Sequence, residues 1–341
     1  MSVPATNSAA RGGIRRRLGD AARRPRVPQS IRAKFLPLTP QIRQAVEQSL
    51  RTNFFADERL HGAVSDSYLA TPEGQADLES QVAGRLELFR VWTIPWLDFL
   101  IKLDGARILE IGCGTGASTV ALAEQGAQVV GLDASTAALV SARDRCAAHG
   151  LKAEFVESNA TAVGTRFASQ RFDAIVFFAV VEHLTWEERI RSLKAAWDLL
   201  PANGMLAVIE APNRLWHVDI HTTNEPFYNW LPDETAIAYT RYIDGPSRHL
   251  FAEPVEEAKL QLARLGRGVS YHDFVIAWDI PPDHLPVAGY MAKYHERRWH
   301  NVIARLSAGH HYRKLLSSVA PQLHPAFLQP SLDIAFRKGP S

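Results

Sequence analysis

Short apolar runs alternate with amphipathic stretches through the middle of the chain. Five runs have the length and composition of buried strands, at 107–111, 128–133, 153–156, 174–178 and 205–210. The stretches that follow them have helical spacing, at 116–125, 135–149, 186–200 and 253–265. Strands that alternate with helices are typical of a parallel sheet covered on both faces. We therefore predict an α/β fold.

Helices and inserts flank this alternating region. Residues 39–55 begin with a Thr-Pro pair typical of a helix start. Residues 76–103 have helical spacing, and Pro95 should kink or end that helix. Later runs at 269–278 and 331–338 have the pattern of strands. The predicted units are a basic disordered tail (1–36), an N-terminal helical segment (37–103), the sheet domain with an aromatic insert at 212–252 (104–278), a helical insert (279–330) and a final strand with the C-terminal end (331–341).

Positive charge is concentrated in the first 36 residues. They carry nine Arg and Lys residues against one acid, whereas the rest of the chain has 29 basic and 35 acidic residues. A net acidic body is a poor binder of polyanions, so we expect no nucleic-acid partner. The basic arm is able to touch an anionic surface, but its Arg, Ala and Pro content favours a solvated, disordered tail.

Cysteine use and hydropathy indicate the compartment. The 341 residues include only two cysteines, Cys113 and Cys146, and neither has a metal-type spacing. No apolar run approaches the length that a membrane span needs. We expect a cytoplasmic protein with reduced cysteines and no membrane span.

The stretch EIGCGTG at 110–116 joins the first strand to the first helix of the alternation. Its three glycines permit positive φ and a close approach of a ligand to the backbone. Asp133 ends the next strand, where a carboxylate can accept two hydrogen bonds from a ribose diol. The first two glycines and Ala117 also fit the dinucleotide fingerprint, so the glycines alone leave the cofactor open. Glu110 suits a cationic amino group better than a pyrophosphate.

Several ordered motifs resemble the class I S-adenosylmethionine-dependent methyltransferases. They are EIGCGTG at 110–116, Asp133, FDAIVFFAVVEHL at 172–184 and LLPANGMLAVIEAPN at 199–213. In its Glu182-His183 pair the chain resembles the branch of that family that includes the ubiquinone-type O-methyltransferases. The resemblance implies a Rossmann-like, seven-stranded, mostly parallel sheet with helices on both faces and an antiparallel last strand. To this sheet we expect the chain to add N-terminal helices and two inserts that form a lid.

The same resemblance implies S-adenosylmethionine as the cofactor. The glycine loop would pass under its methionine part, Asp133 would hold the ribose, and Ser158 and Asn159 would lie near the adenine. Asn159 stands where family members often have Asp, and an amide oxygen can still accept from the adenine amino group. The implied cofactor-binding residues are Glu110, Gly112, Cys113, Gly114, Gly116, Asp133, Ala134, Ser158, Asn159, Ala160 and Phe178.

Candidate catalytic groups follow the fourth and fifth predicted strands, at the edge where open α/β sheets bind ligands. His183 comes first and can act as a general base. His217, Asp219 and His221 alternate, so an extended chain would put them on one face. That run can be a base with its orienting carboxylate, three metal ligands or a structural cluster. Since no metal motif supports it, we predict no metal and name His183 as the base, with His221 next.

The insert at 212–252 holds seven aromatic residues, which form either a lid over an acceptor or a small local core. We expect a methyltransferase that acts on a small or medium-sized acceptor, with a hydroxyl oxygen as the expected position. A hydroxylated metabolite, a quinone or a saccharide would fit. Two alternatives stay open, namely an NAD(P)-dependent oxidoreductase and a non-catalytic S-adenosylmethionine-binding protein of the same fold.

Overall fold

A single mixed sheet organises the chain. The computed structural model describes residues 25–57, 66–242, 255–296 and 308–340. Within these residues seven strands pair in the order β3-β2-β1-β4-β5-β7-β6. Their bounds are β1 Arg107–Ile111, β2 Gln128–Asp133, β3 Glu154–Glu157, β4 Ala174–Phe178, β5 Met205–Pro212, β6 Val287–Tyr290 and β7 Ser331–Arg337.

Strand direction and burial confirm the predicted fold class. Strands β1 to β5 pair in parallel, and β7 is antiparallel to both β5 and β6. Alternate side chains of β4 enter two different cores, with Ile175 and Phe177 in one and Ala174 and Val176 in the other. Because both faces are covered, the central strands are continuous apolar runs rather than alternating ones.

Helices cover both faces and extend the chain at its N-terminal side. Their bounds are α1 Gln29–Arg32, α2 Pro40–Ser49, α3 Asp66–Leu69, α4 Pro72–Glu79, α5 Arg85–Leu88, α6 Ile94–Leu100, α7 Ala117–Ala123, α8 Thr136–Ala148, α9 Val163–Arg166, α10 Trp186–Leu199, α11 Asp233–Tyr239, α12 Val255–Leu265, α13 Tyr271–Trp278, α14 Met291–Tyr294 and α15 Ala308–Val319. None of the helices in the described ranges is long and apolar enough to cross a membrane.

The predicted strand at 269–278 is wrong, because this segment forms α13. Its buried residues Phe274, Ala277 and Trp278 recur at helical spacing, and Ser270 and Asp273 form a capping box at its start. A short apolar run cannot by itself distinguish a buried helix from a buried strand. The sixth strand is β6 instead, which lies in the insert predicted to be helical, so the sheet extends beyond residue 278.

The N-terminal helical segment is continuous from Pro72 to Leu100, with π-helical turns at Ser80–Gly84 and Phe89–Thr93. Pro95 therefore does not end the helix, although the second π turn lies directly before it. A proline inside a helix cannot donate to the preceding turn, and a change of hydrogen-bond pattern there accommodates it.

Residues 25–36 pack on the domain, which corrects the predicted boundary of the disordered tail. Ile31 is buried, and the Lys34 Nζ donates to the backbone oxygen of Gln125 at 2.9 Å. The Leu36 N–H donates to the carboxylate of Glu124 at 3.2 Å. Residues 1–24 of the predicted tail lie outside the described residues.

Candidate active site

The glycine loop between β1 and α7 is shaped by positive φ angles of +79° at Gly112, +50° at Gly114 and +79° at Gly116. A Cβ at Gly112 would lie 1.9 Å from the Val180 Cγ2, and one at Gly116 would lie 2.9 Å from the Ala142 Cα. A Cβ at Gly114 would meet nothing within 4 Å. The outer glycines are therefore required by packing inside the protein, whereas Gly114 faces open space where a ligand can lie.

Asp133 holds this loop from the end of β2. Its Oδ2 accepts from the Gly114 N–H and its Oδ1 from the Ser135 N–H, both at 2.9 Å. Burial raises the pKa of this carboxyl, while those backbone hydrogen bonds act in the opposite direction. A carboxylate has about four acceptor positions, so Asp133 retains the capacity to accept from a ribose diol.

Glu110 has protein partners for both carboxylate oxygens. The carboxylate is completely buried and accepts from the Ser118 and Thr119 hydroxyls at the start of α7. Burial raises its pKa to about 7. These contacts connect β1 to α7, so the structure supports a structural role for Glu110 rather than the expected contact with a cofactor amino group.

Of the other predicted cofactor-binding residues, some lie beside the end of β2 and others are part of the core. The Ser158 N–H donates to the Asp133 backbone oxygen at 3.0 Å, so Ser158 and Asn159 lie beside the end of β2. Phe178 is buried and packs edge-to-face on Phe89 at 5.2 Å between ring centroids. Its side chain therefore belongs to the core, which corrects its expected cofactor contact. The remaining predicted residues, Cys113, Ala134 and Ala160, lie next to these groups along the chain, and Cys113 and Ala160 are buried.

A second group of polar side chains, which we call the EHH cluster, consists of Glu182, His183 and His221. The first two lie on a 3₁₀ turn directly after β4. The Glu182 Oε1 is 3.7 Å from the His183 Nε2 and 3.9 Å from the His221 Nε2. Glu182 is fully buried, and neither of its carboxylate oxygens has a hydrogen-bond partner among the described residues. Burial raises its pKa to about 8.

Each imidazole has a neighbour for its Nδ1 atom, so that its Nε2 atom faces Glu182. The His183 Nδ1 lies 2.8 Å from the Arg264 backbone oxygen, which can only accept, so Nδ1 carries the proton and Nε2 presents a lone pair. The His221 Nδ1 lies 3.4 Å from the Thr222 hydroxyl, which itself donates to the Gly266 backbone oxygen. Desolvation lowers the pKa of both imidazoles, that of His221 to about 3.

One ligand atom from each of the three residues lies within 4.8 Å of the others. Lone pairs on all three atoms converge and repel one another unless a cation lies between them. Either a proton or a divalent metal ion can fill that role, and two imidazoles with one carboxylate are ordinary ligands for such a metal.

The predicted run of His217, Asp219 and His221 does not share one face, and that prediction is wrong. The His217 ring packs on Tyr312 at 4.5 Å between ring centroids. Asp219 is buried and accepts backbone N–H bonds from His221, Thr222 and Thr223. This turn breaks the extended backbone on which alternation depends. Asp219 thus shapes the turn that brings His221 to Glu182.

Two acids at this edge, Glu182 and Glu210, were not among the predicted site residues. Glu210 has a φ of +65° at the end of β5, and its carboxylate accepts from the Arg85 Nη2 at 3.2 Å. Its backbone N–H donates to the Asp333 Oδ1 at 2.9 Å. Glu182 stands beside His183 in the sequence, so adjacency was an available signal. The strained conformation of Glu210 has no sequence signal, since only glycine marks positive φ reliably.

The aromatic insert forms a small core of its own. Tyr228 is fully buried and packs with Ala236, Ile237 and Leu262. Phe227 and Trp230 are about half exposed, and Phe251 lies outside the described residues. The local core is therefore present, and three aromatic rings of the described part of the insert, those of Phe227, Trp230 and Tyr242, remain at the surface.

Comparison with known proteins agrees with this architecture. Residues 108–204 match the family described as "Methyltransferase domain". The ubiquinone biosynthesis O-methyltransferase of Stutzerimonas stutzeri (strain A1501) is 34% identical over 91 residues, which are 27% of this chain and 39% of that protein. The protein of the same name from Ruegeria sp. (strain TM1040) is 32% identical over 128 residues, 38% of this chain and 47% of that protein. The chain thus spans less than half the length of these curated relatives.

Among solved structures, magnesium protoporphyrin IX methyltransferase from Synechocystis PCC 6803 with bound SAM is 19% identical. The match covers 52% of this chain and 80% of that chain, with a TM-score of 0.36. Residues 108–204 are therefore similar to methyltransferase domains, and the relatives they resemble are O-methyltransferases.

Proposed function

We propose that the protein transfers the methyl group of S-adenosylmethionine to a hydroxyl oxygen of a small or medium-sized acceptor. The observation that carries this proposal is the position of the EHH cluster at the end of β4, next to the glycine loop at the end of β1. Val180 contacts Gly112 directly and Glu182 follows two residues later, so the two groups share one crevice.

The crevice fits the cofactor on one side. Gly114 leaves open space at the loop, and Asp133 retains acceptor capacity at the end of β2. When bound, S-adenosylmethionine supplies an electrophilic methyl group, so the protein mainly has to position the nucleophile and remove its proton. The charged sulfonium requires no metal or acid from the protein for its own activation.

The EHH cluster fits the removal of that proton. An alcohol or phenol needs a base near its hydroxyl, and His183 presents an unprotonated Nε2 with its Nδ1 proton held by a backbone carbonyl. A second arrangement of the same cluster is a bound cation, which the buried, unpartnered carboxylate of Glu182 supports. A His183 Nε2 that binds a metal ion cannot also accept a proton, so the two arrangements are alternatives. We propose a divalent metal ion bound by Glu182, His183 and His221, which replaces the expectation of no metal site. Such an ion would lower the pKa of a bound hydroxyl.

The names of the relatives support oxygen as the methylated atom, because they are O-methyltransferases. We propose a hydroxylated metabolite, a quinone or a saccharide as the acceptor. A cytoplasmic location is proposed as well, since both cysteines are free and buried, as suits a reducing compartment.

Calorimetry with S-adenosylhomocysteine and with NADH tests the cofactor. We expect a Kd in the micromolar range for S-adenosylhomocysteine and no binding of NADH. Tight binding of NADH alone would instead support an oxidoreductase.

A panel of catechols, phenols and sugars, assayed by mass spectrometry for a gain of one methyl group, tests the reaction. Methyl transfer that stops with a chelator and returns with Mg²⁺ or Mn²⁺ supports the metal. Transfer that persists in chelator leaves His183 as a metal-free base. Binding of S-adenosylhomocysteine without methyl transfer to any acceptor contradicts the enzymatic proposal and favours a binding protein.

A further inference from the structure

Arg145 on α8 is a buried cation that the proposed chemistry does not use. Its side chain is only 1% exposed, and none of the ion pairs among the described residues includes it. Burial lowers its pKa to about 10. A buried charge without a counter-ion is costly unless its hydrogen bonds are well satisfied. The acceptors of its hydrogen bonds therefore indicate the role of Arg145.

All three of its hydrogen bonds end on backbone carbonyls of two separate segments. The Arg145 Nε donates to the Thr115 oxygen at 2.7 Å, inside the glycine loop. Its Nη2 and Nη1 donate to the oxygens of Gln81 and Val82 at 2.7 and 3.1 Å, in the π turn Ser80–Gly84. The planar guanidinium thus joins the loop to the N-terminal helical segment in a way that a single-point cation cannot.

Two further contacts hold the glycine loop, one from the N-terminal segment and one from α8. The Thr115 hydroxyl donates to the Gln81 side-chain oxygen at 3.1 Å. On the opposite side of the loop, α8 approaches so closely that a Cβ at Gly116 would lie 2.9 Å from the Ala142 Cα. Helix α8 therefore supplies both the wall behind the loop and the arginine that fastens the loop to the N-terminal segment.

The N-terminal segment continues from this junction to the acceptor edge. Arg85 lies one helical turn after Gln81, and its guanidinium holds the carboxylate of Glu210. Glu210 is strained in the left-handed region, and such residues persist only where the surroundings hold them in place. One rigid helical turn thus connects the cofactor loop to an acid beside the EHH cluster.

We propose that Arg145 is a positioning residue that fastens the glycine loop to the N-terminal helical segment, so that cofactor binding orders Arg85 and Glu210 at the acceptor edge. This inference rests on the proposed function, because it requires the loop to bind S-adenosylmethionine. A merely structural Arg145 would alter stability without linking the two sites.

The test measures S-adenosylhomocysteine affinity by calorimetry and amide hydrogen exchange of residues 80–88 with and without that ligand. In the wild-type protein we expect the ligand to slow exchange in these residues. Arg145→Met should weaken the affinity at least about tenfold and remove the ligand-induced protection. Arg145→Lys keeps the charge but cannot reach all three carbonyls, and should give an intermediate result.

Arg143→Met is the matched control, since Arg143 lies on the same helix but is exposed and donates to the Phe155 backbone oxygen instead. It should leave both affinity and protection unchanged. If Arg145→Met does not fold, Gln81→Leu breaks the Thr115 contact without burying a charge and should reduce the protection of residues 80–88.

Wild-type affinity and wild-type protection in the variant that folds would overturn the inference. Ligand binding by the wild type without slower exchange in residues 80–88 would overturn it as well. Failure of the wild type to bind S-adenosylhomocysteine would instead contradict the proposed function.

Discussion

The two sides of the crevice differ in how their buried carboxylates are satisfied. On the cofactor side, Asp133 accepts two backbone N–H bonds and Glu110 accepts two hydroxyls. On the acceptor side, the carboxylate of the fully buried Glu182 has no hydrogen-bond partner within the described part of the chain. Satisfied acids hold the scaffold in shape, whereas an unsatisfied one indicates a group that awaits a ligand or an ion.

The two sides also differ in how the chain assembles them. The cofactor side comes from one contiguous unit of β1, loop, α7 and β2. The acceptor side combines Glu182 and His183 with His221 and the backbone of Arg264, which are far apart in the sequence. Local geometry therefore determines the first side, and tertiary packing determines the second. Four substitutions test this distinction, from the largest expected effect to the smallest.

Gly114→Val should abolish binding of S-adenosylhomocysteine in calorimetry. The added side chain would enter the open space of the loop, and the φ of +50° disfavours a β-branched residue. Gly105→Val is the control, because Gly105 also has positive φ and open space but lies in the turn before β1. Normal affinity in Gly114→Val would mean that the ligand binds elsewhere.

His183→Ala should lower kcat for methyl transfer by about 10²–10⁴ and leave S-adenosylhomocysteine affinity nearly unchanged. The reason is that the variant loses a group on the acceptor side only. His284→Ala is the matched control, since His284 is exposed and pairs with Asp283. A variant that keeps more than about a third of wild-type kcat under chemistry-limited conditions would exclude His183 from catalysis.

Asp133→Ala should weaken S-adenosylhomocysteine binding by about 1.5–3 kcal/mol, the scale of hydrogen bonds to a charged group. The variant loses the proposed ribose acceptor and the hydrogen bond that holds Gly114. Asp173→Ala is the control, because Asp173 also accepts a backbone N–H, from Arg107, but at the opposite edge of the sheet. Equal effects in the two variants would show a loss of stability rather than of a ligand contact.

Glu110→Gln should change the pH dependence of stability and alter ligand affinity less than about threefold. Burial raises the pKa of Glu110 from 4.5 to about 7, so its contribution is fully present below pH 4.5 and is lost as the pH rises through 7. Because glutamine does not ionise, the variant does not lose stability in this way. Its free energy of unfolding relative to wild type should therefore rise by up to about 3 kcal/mol as the pH increases from 4.5 through 7. Thermal unfolding between pH 4.5 and 8 measures it.

Glu157→Gln, an exposed position at the end of β3, provides the control for Glu110→Gln. A large loss of S-adenosylhomocysteine affinity in Glu110→Gln would contradict the structural role of Glu110. That result would instead support the contact between Glu110 and the cofactor that the EIGCGTG motif suggested. Each side of the crevice would then have a buried carboxylate that acts on a ligand.

Most of the central sheet could be predicted from sequence because its signals are local. Strand β1, the glycine loop and β2 combine apolar runs of strand length with glycines at the positive-φ positions. The error at α13 arose where the local signal is ambiguous, since the apolar run of 269–278 suits either a strand or a helix. Strand β6 is short and half-buried, and it forms only because β7 offers a free edge.

The acceptor side shows the limit of sequence patterns. Alternation of His217, Asp219 and His221 predicts one face only for an extended chain, and the Asp219 turn removes that condition. The convergence of His221 on Glu182 depends on this turn and on the approach of Arg264 to His183. None of these contacts leaves a periodic trace in the sequence.

By itself, the sequence determined the alternating α/β architecture, the glycine loop and the acid at the end of β2, because hydrophobic period and backbone φ are properties of neighbouring residues. Tertiary structure alone decided that the Glu182 carboxylate has no hydrogen-bond partner among the described residues and that His183 and His221 lie close to it. Burial and hydrogen-bond satisfaction are set by residues distant in the chain, so the chemistry of the acceptor side emerges only when the sheet edge, the insert and α12 come together.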